Sequence, residues 1–370
     1  MCLMSGGCPV FGINMNRTNE LKALLMAKKP QLQIKPADLL STGSTLLNLA
    51  CSGRWEGGFA KGEYIFLVGD SMSGKTWLSC TCLAEAARRK SFKNYRFIHD
   101  NPEEGAKMDM AFYFGERMAK RLEEPPHGTS RTVQEFYYNA DSALDEGPCI
   151  YVLDSMDSLD DDSDVDQFEK MKAAHQDGKD TTGSYGTGKA KMNSQGLRRL
   201  TGRLQETGSI LIVISQTRDN IGFGAQFNPK TRSGGKALRF YAQLEVWTSV
   251  VKTITKTVKG KKRQVGTVTQ CKIKKNRHNG QLHTVDIPLY HSYGIDDMGS
   301  CIAYLCDEGP FKKRKSTIVA DDLDFEGTEA KLIEHIEAEG LEPVVRELCG
   351  DTWEGIQDEC RVKNRRPRYE

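Results

Sequence analysis

The feature that most constrains this chain is the glycine-rich loop at residues 69–76, which reads Gly-Asp-Ser-Met-Ser-Gly-Lys-Thr. The apolar segment 64–68 before it is typical of a buried strand, and the segment 77–87 after it has helical spacing and composition. A strand, a glycine-rich turn and a helix start form the context in which such a loop binds phosphate. This order predicts a nucleoside-triphosphate site.

The residue types in the loop match the tasks of such a site. Gly69 and Gly74 let the backbone bend so that successive N–H groups converge on phosphate oxygens, and the helix N-terminus adds a positive partial charge. We expect Lys75 to reach the β- and γ-phosphates of ATP and the Thr76 hydroxyl to bind Mg²⁺. The other loop residues predicted to contact the nucleotide are Asp70, Ser71, Met72 and Ser73.

Composition predicts a soluble, cytoplasmic protein with one large domain and smaller appendages. Of the 370 residues, 38% are hydrophobic and 28% charged, and no apolar run approaches the roughly 20 residues that span a bilayer. The first residues lack the basic and apolar regions of a secretion signal. Eleven cysteines without a C-x-x-C pair favour reduced, mostly packed thiols over a metal site.

Charge is segregated along the chain. Residues 228–278 carry fourteen Lys/Arg against Glu245 alone, and residues 320–360 carry fourteen Asp/Glu against Lys331 and Arg346. The last ten residues are basic again. This pattern predicts a polyanion-binding surface and an acidic appendage that competes for it.

Apolar and helical segments alternate as far as about residue 250, which predicts an α/β fold with a mostly parallel sheet flanked by helices. Strands are predicted near 64–68, 95–99, 149–153, 210–214 and 243–248. Helices are predicted at 16–29, after the cap 41–44, and at 75–90, 104–123 and 189–206.

Other segments have a different character. We expect hairpins from 250 to 300, a long polar loop at 158–188, a basic linker at 312–315, and helices over 326–360. The predicted domains are an N-terminal helix that docks on a neighbouring protomer (1–40), the core (41–315), and a small acidic helical domain with a basic tail (316–370).

Two further strands complete the predicted nucleotide site. Residues 149–154 form an apolar run ending in Asp154, a carboxylate suited to the Mg²⁺ shell, with Ser155 beside it. Residues 210–214 lead into Gln216, whose amide can sense a γ-phosphate and reposition the chain that follows. That chain, 219–239, is rich in glycine and basic residues, which favours a mobile polyanion contact over an ordinary surface loop.

Six phrases in this order resemble the RecA recombinases of the bacterial type, over roughly residues 16–300. They are STGS (41–44), GDSMSGKT (69–76), YVLDSMDSL (151–159), KMNSQGLRRLTGRL (191–204), ISQTRDNIG (214–222) and SGGKALRFYA (233–242). The resemblance implies a RecA-like ATPase core that polymerises on single-stranded DNA and promotes pairing with a homologous duplex.

The resemblance also implies roles for individual residues. Gln216 matches the family's γ-phosphate sensor, and Lys275 and Arg277 fall where two basic residues reach the ATP of the adjacent subunit. DNA-binding loops are implied at about 160–192 and 219–238. Their candidate DNA contacts are Lys189, Lys191, Arg218, Lys230, Arg232 and Lys236.

The chain departs from the family pattern at the catalytic glutamate, where Asn101 stands. An amide cannot take a proton from water, so Glu103, Glu104 or Asp100 is expected to replace it, with Glu103 favoured. The first loop is acidic, and the C-terminal domain does not match the family's usual one. These departures are typical of a divergent member, such as one of viral origin.

Two alternatives remain open from the sequence. A hexameric translocase of the replicative-helicase type shares the core, although it normally carries a separate N-terminal domain. A nucleotide-gated DNA-binding mediator with negligible hydrolysis is the alternative that Asn101 motivates.

Overall fold

The computed structural model of the protein describes residues 34–103, 108–162, 188–219, 230–232 and 235–362. The chain divides into the segment Met1–Lys35 and one compact unit, Pro36–Glu370. The helix predicted at 16–29 lies outside the described residues, as does most of the predicted loop 158–188.

Strands β1 (Leu39–Leu40) and β2 (Phe59–Ala60) form a short antiparallel pair. Within the described residues the main sheet has ten strands. In chain order they are β3 (Tyr64–Gly69), β4 (Arg96–Asp100), β5 (Leu122–Glu123), β6 (Cys149–Leu153), β7 (Ile210–Asp219), β8 (Lys230–Arg232), β9 (Leu244–Val258), β10 (Lys261–Asn276), β11 (Thr284–Tyr290) and β12 (Gly294–Ile295).

The sheet is parallel through its centre and antiparallel along one side. Its order is β12-β11-β10-β9-β3-β7-β6-β4-β5, and β8 pairs with β7. The strands from β9 through β5 run parallel, whereas β10, β11 and β12 form an antiparallel extension. The predicted α/β class is confirmed, and the five predicted strands are present.

Helices cover both faces of this sheet. They are α1 (Thr45–Ser52), α2 (Lys75–Arg88), α3 (Met110–Phe114), α4 (Glu116–Ala119), α5 (Val133–Asp145), α6 (Gly188–Thr207), α7 (Lys236–Tyr241), α8 (Asp297–Asp307), α9 (Glu329–Glu339) and α10 (Glu342–Glu359). Strand β3 shows why both layers are needed. Ile65 and Leu67 pack with α1, α2 and α8, whereas Tyr64, Phe66 and Val68 pack with α5 and α6. A parallel strand buried on both faces is a continuous apolar run.

Helix starts follow their capping signals. Ser44 caps α1, as predicted, by accepting a hydrogen bond from the Leu47 backbone N–H, and Gly53 ends the helix. Helix α5 was not predicted, although Thr132 and Glu135 form a capping box at its start. The single helix predicted at 104–123 is wrong. In its described part, Gly115 at φ +88° separates α3 from α4, and β5 follows.

The predicted basic linker 312–315 is also wrong. Lys312–Arg314 form β13, which pairs with β14 (Thr317–Ala320), and β14 pairs with β15 (Phe325–Thr328). Helices α9 and α10 follow, and they bury Leu332, Ile336 and Val345 in the same core as α2 and α8. The domain boundary near residue 315 stays a prediction.

Two general expectations can be compared with the described part of the chain. There, no helix is both long and apolar enough to cross a bilayer. The described cysteines are free thiols and most of them are buried, as expected.

Candidate nucleotide-binding site

The glycine-rich loop at residues 69–76, called the phosphate loop below, joins the carboxyl end of β3 to the first turn of α2. Gly74 stands at the N-cap of α2 with φ +86°, a conformation that favours glycine. At Gly69 a Cβ atom would lie 2.1 Å from the Thr248 hydroxyl, so β9 requires glycine there. These two glycines shape the turn that leads into the N-terminus of α2, and unpaired N–H groups at a helix start are suited to binding phosphate.

Neighbouring strands fix the inner half of the loop. The Ser73 hydroxyl lies 2.7 Å from the Thr248 hydroxyl, and Thr269 donates to the Ser73 carbonyl at 3.3 Å. The Asp70 carboxylate accepts a hydrogen bond from the Thr217 hydroxyl at the end of β7. The outer residues, Ser71 and Met72, are exposed. The loop is thus tied to three strands and open on one side.

Lys75 is folded against its own loop. Its ammonium donates to the carbonyl of Gly69 at 2.9 Å and to that of Asp70 at 2.7 Å, and only 7% of the residue is exposed. Burial lowers the pKa of Lys75, although Asp154 and Asp70 pull it upward. Its contacts are to neutral carbonyls, which a phosphate oxygen can replace with a stronger, charge-assisted partner.

Thr76 and Asp154 lie where two elements meet. Thr76 is at the start of α2, and Asp154 directly follows β6. The Thr76 hydroxyl donates to Asp154 Oδ2 at 2.6 Å. Asp154 is 6% exposed, and this burial raises its pKa, although the hydrogen bond from Thr76 acts to lower it. Two hard oxygen donors in contact beside a phosphate loop are the ligand set that Mg²⁺ takes when phosphates and water supply the rest.

Glu103 lies beside this pair. It is one of the three carboxylates, with Asp100 and Glu104, that the sequence offers as the group to accept a proton from water. Its Oε1 accepts hydrogen bonds from Ser155 at 2.7 Å, Ser158 at 2.8 Å and the Gln216 amide at 3.1 Å. Burial pushes the pKa of Glu103 upward, but these hydrogen bonds and the charge of Lys75 hold it below its ordinary value. Within the described residues, Oε2 accepts no hydrogen bond and is the oxygen left for a proton.

Asp100 is in a different environment. It is fully buried, and its carboxylate accepts hydrogen bonds from the Ser130 amide, the Ser130 hydroxyl and the Tyr151 hydroxyl at 2.6–3.0 Å. Burial raises the pKa of Asp100 despite these bonds. The side chain therefore fixes the turn at residue 130 and is closed to water. Glu104 lies outside the described residues.

Gln216 belongs to a strand that continues toward the second predicted DNA loop. The backbone N–H of Gln216 and the Ser215 hydroxyl both donate to Asp157, at 2.7 and 2.8 Å. Beyond Gln216, β7 pairs with β8 in an antiparallel register that sets Thr217 opposite Arg232. The sequence analysis missed Asp157, which holds this strand end.

An aromatic cluster adjoins the start of α2 and was also missed. The ring centroid of Trp77, the residue after Thr76, lies 5.0 Å from that of Tyr113 and 5.1 Å from that of Phe114. The chain at Gly294 approaches the same indole, since a Cβ there would lie 3.6 Å from it. The short apolar run of α3 was the only sequence signal for this cluster.

Lys275 and Arg277 lie at the other edge of the sheet. Lys275 pairs with Glu245 in the ladder, level with Phe66 of β3. The Arg277 amide bonds to the Gln243 carbonyl, level with Tyr64. Gly69 is three and five residues farther along β3, roughly 10 and 17 Å, and β3 lies two strands away. Neither side chain is near the phosphate loop of its own protomer.

Both cations contact the C-terminal end of α7. The Lys275 ammonium donates to the carbonyls of Arg239 and Phe240 at 2.7 and 2.8 Å, and Arg277 donates to that of Phe240 at 3.0 Å. Cations are favourable beside the unpaired carbonyls of a helix end. Burial and the neighbouring Arg277 lower the pKa of Lys275 to about 8.

The predicted DNA contacts are only partly described. Lys191 and Lys236 are exposed on α6 and α7, whereas Lys189 donates to the Leu159 carbonyl at the foot of the first loop. Arg218 lies in β7, and Lys230 and Arg232 lie in β8. The side chains of these three, and residues 163–187, 220–229 and 233–234, are outside the described part.

Comparison with known proteins agrees with this geometry. The family profile "RecA N-terminal domain" matches residues 165–296. Protein RecA of Corynebacterium efficiens is 28% identical over 284 residues, which cover 76% of this chain and 66% of that protein. Protein RecA of Arthrobacter sp. is 27% identical over 290 residues, covering 77% and 74%. Protein RecA of Cytophaga hutchinsonii is 27% identical over 301 residues, covering 78% and 73%. Together with the fold and the site described above, these matches show that the chain is similar to the RecA proteins of bacteria.

Proposed function

We propose that this protein is a DNA-dependent ATPase that assembles head to tail on single-stranded DNA and promotes pairing with a homologous duplex. The observation that carries the proposal is the position of two groups of polar residues at opposite edges of one sheet. Lys75 and Glu103 lie where the parallel strands end, which we call the carboxyl edge. Lys275 and Arg277 lie toward the ends at which these strands begin, which we call the amino edge. Protomers in head-to-tail contact can combine the two groups at one phosphate, whereas a single protomer cannot.

The carboxyl edge would bind ATP. Loop amides and the start of α2 would hold the phosphates, and Lys75 would exchange its contacts with the Gly69 and Asp70 carbonyls for phosphate oxygens. Thr76 and Asp154 would hold Mg²⁺, which neutralises charge on the β- and γ-phosphates. The rings of Trp77 and Tyr113 offer a face on which a base can stack.

Glu103 would activate the attacking water. Its lowered pKa keeps the carboxylate ionised near neutrality, so Oε2 can accept a proton while Oε1 stays bound to Ser155, Ser158 and Gln216. The shared hydrogen bond from Gln216 connects the same carboxylate to β7. Loss of the γ-phosphate would therefore change the contacts of the strand that leads to the second predicted DNA loop.

The antiparallel ribbon of β9 and β10 supports a polyanion partner. Its outer part, residues 249–264, contains six basic residues and no carboxylate. Lys256 stands directly opposite Arg263 in the ladder, and both are exposed. Like charges at such positions repel unless an anion lies between them, and DNA phosphates would remove the repulsion.

Electron microscopy with single-stranded DNA and a non-hydrolysable ATP analogue tests the proposal. We expect helical filaments, together with ATP turnover that rises when single-stranded DNA is added. Closed rings would favour the hexameric translocase. Filaments without DNA-stimulated turnover would favour the nucleotide-gated mediator, the alternative that Asn101 motivates. A strand-exchange assay between homologous substrates then separates a recombinase from a filament that only coats DNA.

A further inference from the structure

The two cations at the amino edge alternate with two buried polar residues. In the segment Lys275-Asn276-Arg277-His278, the first and third side chains reach the exposed end of α7. Asn276 is 7% exposed, and the side chain of His278 is 2% exposed. A bulge in β10 between Ile273 and Lys275 decides which of these four side chains are buried, because an extra residue reverses the face that each later side chain occupies.

Both ring nitrogens of His278 have partners in the core. Nε2 lies 2.8 Å from each carboxylate oxygen of Glu63, and Nδ1 lies 3.2 Å from the Cys51 carbonyl. Glu63 also accepts a hydrogen bond from the Ala60 amide at 3.1 Å. The ring therefore bridges the end of α1 and the residue that precedes β3.

Asn276 reinforces the same attachment. Its amide donates to the Cys51 carbonyl at 3.0 Å, and its Oδ1 accepts from the His278 amide at 2.9 Å. With the Arg277 amide bound to the Gln243 carbonyl, every residue from 276 to 278 has a hydrogen bond to the core or to its neighbour. An arginine or lysine that must meet a phosphate on another molecule needs this kind of rigid base, because long side chains lose precision with each mobile bond.

We propose that His278 and Asn276, together with Glu63, are positioning residues for the cations that complete the neighbouring protomer's ATPase site. The inference rests on the proposed composite site and adds residues that touch no nucleotide. The attachment is made at Glu63, immediately before β3, and the phosphate loop follows β3 at its other end. One buried strand therefore connects a protomer's own site to the cations that it offers to the next.

The test is a mixing experiment on full-length protein, read as DNA-stimulated ATP turnover. His278→Ala alone should lower turnover on the order of ten- to a hundredfold while nucleotide binding stays close to wild type. The thermal midpoint should fall by a few degrees, because Glu63 loses a buried hydrogen-bond partner. His291→Ala, which removes an exposed histidine just after β11 and next to Val265, is the control and should be unchanged. His278→Gln keeps an N–H donor toward Glu63 and should recover most of the turnover.

Mixing His278→Ala with Lys75→Ala protomers gives the decisive result. In a random equal mixture about a quarter of the contacts join an intact phosphate loop to intact cations, so turnover should rise well above that of either variant. Arg277→Ala mixed with Lys75→Ala is the reference for the composite site itself. If this reference recovers activity and the His278→Ala mixture does not, the positioning role is overturned, because the damage then lies in the variant's own site or fold.

Two other results also decide the matter. Full turnover of His278→Ala alone, or equal losses in His278→Gln and His278→Ala with unchanged folding, would overturn the positioning role and leave the composite site standing. No recovery in the reference mixture, with Arg277→Ala alone fully active, would instead overturn the composite site.

Discussion

The two edges of the central sheet hold their charged groups in different ways. At the carboxyl edge, Lys75 and Asp154 are almost completely buried, and each is bonded to the phosphate loop or its helix. At the amino edge, Lys275 and Arg277 are more accessible and bind carbonyls at a helix end. We therefore expect the carboxyl edge to be preassembled for a ligand of its own, whereas the amino edge holds its cations in contacts that a stronger anion can replace.

The largest effect should come from the preassembled edge. Lys75→Ala removes the only lysine in contact with the phosphate loop within the described residues, so ATP turnover should fall by at least about a hundredfold. Turnover is measured with single-stranded DNA present. Lys93→Ala, an exposed lysine, is the control and should behave as wild type. Wild-type turnover in Lys75→Ala would contradict the site assignment.

Glu103 and Asp100 should separate catalysis from stability. Glu103→Gln should lower turnover by about 10²–10⁴-fold with nucleotide binding retained, because an amide cannot accept the water's proton. Asp100→Asn should instead lower the free energy of unfolding by about 1–3 kcal/mol, because an amide cannot accept all the hydrogen bonds that Ser130 and Tyr151 donate. Turnover and thermal denaturation are measured for both, and a reversal of the two phenotypes would make Asp100 the base.

The amino edge should respond to pH. With a pKa of about 8, the Lys275 ammonium is charged at pH 7 and mostly neutral at pH 9, so the positive charge that the proposed composite site requires is lost as pH rises. DNA-stimulated turnover should fall about tenfold from pH 7 to 9 through this group. Lys275→Arg, which stays charged, should flatten that part of the profile. Identical profiles for the two proteins would exclude Lys275 as the titrating group.

The smallest effect should come from the acidic C-terminal helices, which contain none of the residues described at either edge. Because α9 and α10 share the core, we expect charge neutralisation to be a cleaner test than truncation. Replacing the exposed Glu347, Asp351 and Glu359 by Gln or Asn should raise duplex DNA affinity a few-fold at low salt. The gain should fade as the Debye length shortens from ~30 Å at 0.01 M to ~8 Å at physiological ionic strength. Weaker binding at every salt concentration would mean that the region gathers DNA.

The preassembled edge was largely predictable from sequence. Continuous apolar runs gave the positions of β3, β6 and β7, and parallel strands align their carboxyl ends, so the contact of Thr76 with Asp154 follows from the chain order. Which of Asp100, Glu103 and Glu104 is placed to activate water could not be predicted from the sequence. It depends on whether the last side chain of β4 or one in the turn after it lies in the core, and the partners Ser130 and Tyr151 reveal that Asp100 is buried.

The amino edge was predictable only through family resemblance. The bulge before Lys275 has no sequence signal, because one extra residue in a long alternating strand leaves its composition unchanged. The partners of His278 come from segments more than two hundred residues earlier, and spacing carries no information on such contacts. Helix α5 is a different case, since its capping box was readable and was overlooked.

The separation of the two edges has a consequence for any head-to-tail chain of these protomers. The terminal protomer at one end keeps a phosphate loop that no neighbour completes, and the protomer at the opposite end keeps cations that no ATP engages. An assembly of n protomers then contains n − 1 working sites. Hydrolysis per protomer would rise with polymer length. The terminal protomer at one end would hydrolyse its ATP more slowly than the terminal protomer at the other, so the two ends of the polymer on DNA would differ chemically.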